Sequence, residues 1–429
     1  MTSPHHDEPL IIFANFASAI AVDLRERDIL RQWSEQAPRE IWLARPGDVL
    51  VTPVPLSDAF VTYACSLMRI PRTSFDVVTV PDLPGVPMAT AIRRSGLTGL
   101  LGRFAARHPG TGLLPIALDA PTLALADDLG VSVSPYDRTG PRVSAAALAE
   151  TSLLNTKAGF RERAGRLGMR LPRARTCRGP ELPGAVREVV AAHGRAVVKR
   201  DRSAGGHGIR FVSRRDPGVA AEPDDGELWV VEEYVEHTAS VSVQYEVGPD
   251  GPRMLFHGEM DTHQGSFTGY RSPLVAPADS SVEELGGWAL ALGRHLAAHG
   301  YRGPYGIDAV LTAGGTVYAT ESNVRRTATT TPHAMFTRLR RAVGRPAPAW
   351  MMARRTSAAP HTLPAALERL HATGLAYDAG RGDGVVLYAG HADHAHDWRY
   401  ALLGADRDHL AELDTRLATA MRFTTPVGV

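Results

Sequence analysis

Along residues 9–140, short apolar runs alternate with stretches whose apolar residues recur every three or four positions. The runs LIIFANF, EIWLARPGDVLVTPV, SFDVVTVP, GLLPIAL and GVSVSPYD predict strands, being short, apolar and bounded by turn residues. Between them AIAVDLRERDILRQWSEQ, SDAFVTYACSLMR and MATAIRRSGLTGLLGRFAARH carry helical spacing. Strand and helix in alternation imply a parallel-sheet α/β unit. In such a sheet the turn after the first strand, here ANFAS, is a usual ligand position.

From 145 to 345 the texture changes to helices mixed with longer strands and hairpins. The proline- and alanine-rich GRPAPAWMMARRTSAAPHTLPAA then reads as a linker. GVVLYAGHADHAHDWRYALLGA and the helical DRDHLAELDTRLATAMR complete a small α+β piece. The pattern therefore predicts three units, 1–144, 145–345 and 346–429, without an internal repeat.

Composition narrows the class. A chain of 429 residues, 44% hydrophobic and 22% charged, is an ordinary globular protein with ample material for a core. A net charge of +1 gives no electrostatic reason to expect nucleic acid or an anionic membrane as partner. Cys65 and Cys177 make neither a disulfide framework nor a zinc site. The N-terminus lacks a basic region followed by a long apolar core, and no apolar stretch has membrane-spanning length, so a cytoplasmic location is expected. His391, His394 and His396 resemble a metal tract but lie between two strand-like runs, where a polar turn is expected anyway.

Lysine usage changes the picture further. Of 47 basic side chains only Lys157 and Lys199 are lysines. Arginine cannot replace lysine where a compact point charge on a flexible stem is needed, as on one phosphate oxygen. Lys199 ends an apolar run in VVKRDRSAGGHGIRFV, where a glycine-rich loop follows and a second strand leaves it. No G-K-S/T follows the glycines, so this is not a Walker A loop. A plain hairpin and a phosphate cover both fit, and Gly205, Gly206 and Gly208 would let backbone N–H groups approach phosphates. Lys157 falls in the first turn of a helix capped by Asn155 or Thr156, against the helix dipole, which suggests a ligand there.

Two further stretches carry chemistry. ELWVVEEYVEHTASVSVQYEV predicts strand, acidic turn, strand, and backbone groups around Glu233–Val235 suit a flat heterocycle as well as solvent. GIDAVLTAGGTVYATESNVRR predicts a hairpin about Gly314-Gly315, a favoured pair for a two-residue loop. That register places Asp308 directly opposite Glu321, with Asn323 on the same face. Like carboxylates directly opposite repel without a cation, and two carboxylates with an amide oxygen suit Mg²⁺ held beside phosphates. Strand alternation sends Arg325 toward that metal face and Arg326 away.

Lys157 opening a helix, Lys199 before SAGGHG, the VVEEYV hinge, Asp308 and ESNVR, in this order, resemble an ATP-grasp enzyme over roughly residues 145–345. The resemblance implies an N-terminal parallel-sheet α/β domain followed by two lobes gripping Mg·ATP and a small C-terminal α+β piece. It implies Lys157, Lys199, Ser203, Gly205, Gly206 and Gly208 on the phosphates, and Glu232, Glu233, Tyr234 and Val235 at the adenine edge. Asp308, Glu321 and Asn323 match the metal positions, and Arg325, with Lys199, the groups that steady the reacting acyl phosphate. The NVRRTATTTPH phrase and the C-terminal piece are similar to pheganomycin-type peptide ligases of natural-product pathways.

Departures from the family pattern shape the expectation. No carboxylate follows Glu236 in HTASVSV, which leaves Glu236 for the ribose. Gly306 stands where D-alanine ligase-like members carry arginine, which argues against that branch. The expected activity is ATP-dependent joining of a small carboxylate to an amine or peptide, in a protein for which the family suggests a homodimer. Arg271 and Arg326 are candidates for a substrate carboxylate. The alternatives are phosphorylation of bicarbonate or another small acid, and nucleotide binding without turnover, which needs fewer of these groups.

Overall fold

A computed structural model describes residues 8–424 apart from 21, 23, 25, 82–84, 137–141, 204, 217, 276–278, 342–348 and 391–394. Five parallel strands open the chain, in the order Asp76–Thr79, Val49–Thr52, Leu10–Phe13, Gly112–Pro115, Ser132–Val133. Their alternation divides them between two cores. Ile11, Phe13, Val49 and Val51 pack with the helices of this unit, whereas Ile12 and Leu50 join residues from the far end of the chain.

Three local expectations are corrected. EIWL, predicted as strand, belongs to a 3₁₀ helix, Ala37–Leu43, entered through Pro38, and only Val49–Thr52 is extended. The helix predicted over 88–108 is two, Met88–Arg94 and Leu97–Arg107, because Gly96 takes φ +74 between them. Of the helix predicted over 19–36, the described residues are helical at Arg27–Ser34.

Two antiparallel sheets follow. The smaller orders Ala174–Arg178, Leu228–Glu233, Arg195–Arg200 and Arg210–Ser213, with the helix Leu182–His193 sealing one face. The larger has eight strands. Val317–Asn323, Gly303–Leu311, Ala239–Gly248, Gly251–His263 and Ser266–Ser272 continue into Ala349–His361, Ala395–Gly404 and Gly384–Val386. The C-terminal residues thus extend an existing sheet, through Gly269 paired with Ala353, instead of forming one of their own. They also share a core with the first unit, in which Ile41, Trp42 and Phe60 pack with Trp350, Tyr400 and Leu402. Among the described residues no helix is long and apolar enough to cross a membrane.

Candidate active site

The two antiparallel sheets and the first unit enclose a cavity of about 1000 Å³. Both lysines line it. Thr156, not Asn155, caps the helix Lys157–Arg166 by accepting from Gly159 N–H. The misfit of a cation in the first turn is offset by Asp201, whose carboxylate accepts from Ala158 N–H at 2.7 Å. Lys157 Nζ donates to Ser203 O at 2.8 Å and Ser203 Oγ at 3.0 Å, and lies 3.4 Å from Glu321 Oε2. Lys199 Nζ sits 2.6 Å from Glu232 Oε2, whose other oxygen accepts from Arg161. The glycine loop is therefore tied at its base by Lys157.

Val198 pairs with Arg210, so strand, loop and strand form the predicted hairpin. Gly205, Gly206 and Gly208 take φ +64, +78 and +72, in the left-handed region that glycine adopts without penalty. Gly206 also meets the opposite sheet: a Cβ there would lie 1.8 Å from Gly265 O. Phe267 N–H donates to Gly205 O at 3.2 Å, so the loop bridges both sheets over the cavity.

On the other wall Asp308 pairs directly with Glu321. The route to that pairing differs from the sequence reading. The turn closes between Thr312 and Thr316, one residue out of the predicted register, and a bulge after Ala319 restores it. Asn323 Nδ2 donates to Asp308 Oδ2 at 2.9 Å. Burial and the neighbouring Glu321 push the Asp308 carboxyl up to about 7. Burial acts in the same direction on Glu321, but Lys157, Lys199 and Arg325 outweigh it and hold Glu321 below its ordinary value. Two carboxylates of opposed tendency, with an amide, present hard oxygen donors of the kind Mg²⁺ takes.

Arg325 lines the cavity and donates to Asn155 Oδ1 at 2.5 Å, and Asn155 also receives Val324 N–H. Asn155, expected as a possible cap, instead positions Arg325. Burial lowers the Arg325 pKa while Glu321 and Asp308 oppose it. Arg326 also lines the cavity, but its guanidinium is engaged: it donates to Glu40 Oε2 at 2.8 Å and to Thr331 Oγ1. This buried pair joins the end of the ESNVRR strand to the 3₁₀ helix and occupies the arginine expected to meet substrate.

Glu233, Tyr234 and Val235 line the cavity. Glu233 and Tyr234 N–H are taken by Arg173 O and Arg195 O, and among the described residues nothing accepts from Val235 N–H. Glu232 is buried as the Lys199 counter-ion. Two expectations fail here. Glu236 points out of the cavity, its side chain 77% exposed and paired with Arg195, so it does not face a ribose position. Arg271 lies on the far face of its strand from the cavity-lining Tyr270, paired with Asp261 and Glu259. His391 and His394 lie outside the described residues, and His396 Nδ1 is 3.3 Å from Ser357 O. Asn15, in the first turn, reaches the cavity but is saturated by backbone at Ile116 and Ala117 and by the Thr122 hydroxyl.

Residues that sequence reasoning missed are Asp201, Glu40 and Asn155 in its positioning role. Only Asp201 carried a signal, as an acid two residues beyond Lys199.

Comparison with known proteins agrees with this architecture. Residues 37–131 match the family described as the pre-ATP-grasp domain, and residues 365–417 match the PGM1 C-terminal domain. No curated protein matches the sequence. Among solved structures the chain is similar to N5-carboxyaminoimidazole ribonucleotide synthetase from Thermus thermophilus, at 15% identity and TM-score 0.57, covering 98% of this chain and 99% of that one. Biotin carboxylase from Campylobacter jejuni, solved as a β,γ-ATP complex, gives 13% identity and TM-score 0.59 over 98% and 96% of the two chains. The Aspergillus clavatus carboxyaminoimidazole ribonucleotide synthase, complexed with ATP, gives 12% and 0.57 over 97% and 99%. The chain has the ATP-grasp fold, led by a parallel-sheet α/β domain of the pre-ATP-grasp kind.

Proposed function

We propose that this protein is an ADP-forming, ATP-dependent carboxylate–amine ligase that makes a peptide or related amide bond in natural-product assembly. One observation carries the reading: Lys157, 3.4 Å from Glu321, shares with Lys199, Arg325 and the facing Asp308–Glu321 pair one cavity bridged by a glycine loop. A site for neutral ligands has no use for three cations, two of them buried lysines, beside two carboxylates.

In this reading the substrate carboxylate oxygen attacks the γ-phosphorus of ATP, the bond to the β,γ-bridging oxygen breaks, and ADP leaves. The amine nitrogen then attacks the acyl carbon, the phosphate departs with the C–O bonding pair, and the amine gives up a proton. Lys157 and Lys199 hold phosphate oxygens, and Arg325 meets the charge that develops on the acyl phosphate. Val235 N–H offers a donor to the adenine edge. Asp308, Glu321 and the Asn323 amide would hold Mg²⁺, which supplies charge neutralisation at the phosphates. The Gly205–Gly208 stretch, already in contact with the opposite hairpin, keeps water from the acyl phosphate.

The test is incubation with Mg·ATP and pooled amino acids, peptides and small acids, with and without hydroxylamine, following ADP and AMP separately. ADP with a hydroxamate is expected. AMP and pyrophosphate would overturn the mechanism. A second reading, phosphorylation of bicarbonate, is favoured by the likeness to biotin carboxylase and the carboxyaminoimidazole ribonucleotide synthases. ADP formation that requires bicarbonate and ignores the amine would select it.

A further inference from the structure

The lining of the cavity also draws on remote parts of the chain. Gln36 and Arg39 come from the first unit, Arg354 and Arg399 from two neighbouring C-terminal strands, and Tyr388 from the segment after the edge strand. Arg354 and Arg399 are direct partners across the antiparallel pair. Like charges directly opposite destabilise a sheet unless something compensates them. Arg354 is compensated, donating to Asp397 Oδ2 at 2.7 Å.

Arg399 is not. It is 9% exposed, lines the cavity, and among the described residues no group accepts a hydrogen bond from its guanidinium. Arg39, 3% exposed, donates to Gln36 Oε1, but its Nε has no acceptor. Its nearest carboxylate, Glu40 at 3.5 Å, already serves Arg326 and Thr331 at 2.8 Å each. Burial lowers the Arg399 pKa and the charges of Arg354 and Arg39 add to this, against Tyr388 and Glu35. This part of the lining therefore holds two buried cations, Arg39 and Arg399, with more donors than acceptors, beside the more exposed Arg354. A planar guanidinium without an acceptor, facing a cavity, matches a carboxylate or phosphate.

We propose that Arg399, supported by Arg39 and Arg354, binds an anionic group of a substrate, carboxylate or phosphate, separate from the carboxylate that reacts near Arg325. The assignment rests on the ligase reading for what happens at Arg325, but the anion site itself does not need turnover. It makes the substrate class polyanionic, with a second charge held by residues of the C-terminal strands instead of by the two lysines.

The test uses the full chain saturated with MgADP and titrated calorimetrically with glutarate, with O-phosphoserine and, as the monoanionic control, with butyrate. At least one of the first two is expected to bind ten-fold or more tighter than butyrate. Preference for glutarate identifies a carboxylate site, and preference for O-phosphoserine a phosphate site. Arg399→Gln should abolish the preference, with MgADP affinity as the folding control. If that variant does not fold, Arg399→Lys should weaken the preference at least three-fold by losing the bidentate geometry. Equal binding of all three acids, no binding by any, or a preference that survives both variants would overturn the proposal. Failure of MgADP to bind would count against the ligase reading alone, and the same titrations on the nucleotide-free protein would still decide the anion site.

Discussion

Asp308 and Glu321 face each other across two antiparallel strands, one pushed up to about 7 and the other held below its ordinary value by Lys157, Lys199 and Arg325. Without a cation between them the pair is a repulsive contact. Asp308→Asn and Glu321→Gln should therefore separate function from stability. ADP formation is expected to fall at least 100-fold in each. Asp308→Asn should leave the thermal midpoint of the nucleotide-free protein unchanged or raise it, whereas Glu321→Gln should lower it, because Lys157 loses its carboxylate partner and Lys199 and Arg325 lose a nearby negative charge.

Lys199→Arg keeps the charge and changes its shape. Lys199 Nζ sits 2.6 Å from Glu232 Oε2 in a side chain only 9% exposed, which leaves little room for a planar fork. ADP formation should fall ten-fold or more, with a similar loss in ATP affinity measured by calorimetry. An arginine variant with full activity would remove the argument from lysine scarcity.

Gly206→Ala tests the loop. The left-handed φ alone costs an alanine about 1 kcal/mol, and the Cβ would collide with Gly265 O. Global stability should change little, since a surface loop can swing away. ADP formation should drop at least ten-fold, and protease cleavage within 203–210 should accelerate. Unchanged cleavage and unchanged activity would show that the bridge to the opposite hairpin is dispensable.

Arg326 and Glu40 are 7% and 1% exposed and bonded at 2.8 Å. Removing one partner strands a buried charge, so Glu40→Gln or Arg326→Met should each cost about 3–5 kcal/mol. The double variant should recover most of that loss in a denaturant-unfolding cycle. Additive losses would mean that the two residues act separately.

His333 stacks on Phe256 with centroids 4.4 Å apart, and burial, reinforced by Arg340 and Arg253, lowers its pKa from 6.5 to about 4. The unfolded chain takes up this proton first as the pH falls. Stability should therefore be undiminished above 6.5 and decline toward 4, by up to about 1.4 kcal/mol per pH unit in that window. His333→Gln should flatten that limb of the stability–pH curve. A slope identical to wild type would exclude His333 as its source.

Much of the site was legible because its residues are close in sequence or chemically unusual. Two lysines among 47 basic residues, three glycines after Lys199, and Asp308 with Glu321 in one hairpin are local facts. Strand periodicity sufficed for Asp308 opposite Glu321, although the turn and the bulge each departed by one residue and cancelled. Arg271 and Glu236 were misread because exposure on a strand or turn depends on what packs above it, which one chain pattern does not contain.

By itself, then, the sequence determined the alternating α/β start, the hairpins and the local order of the cavity-lining lysines, glycines and carboxylates, since these follow from backbone periodicity and turn chemistry. Only the tertiary structure decided that the C-terminal strands extend the sheet that carries Asp308, that Arg326 belongs to Glu40, and that Arg39 and Arg399, far apart in sequence, line one cavity. The physical reason is that burial is a collective property. A charged side chain becomes costly, and hence informative, only when distant segments close over it and remove its water.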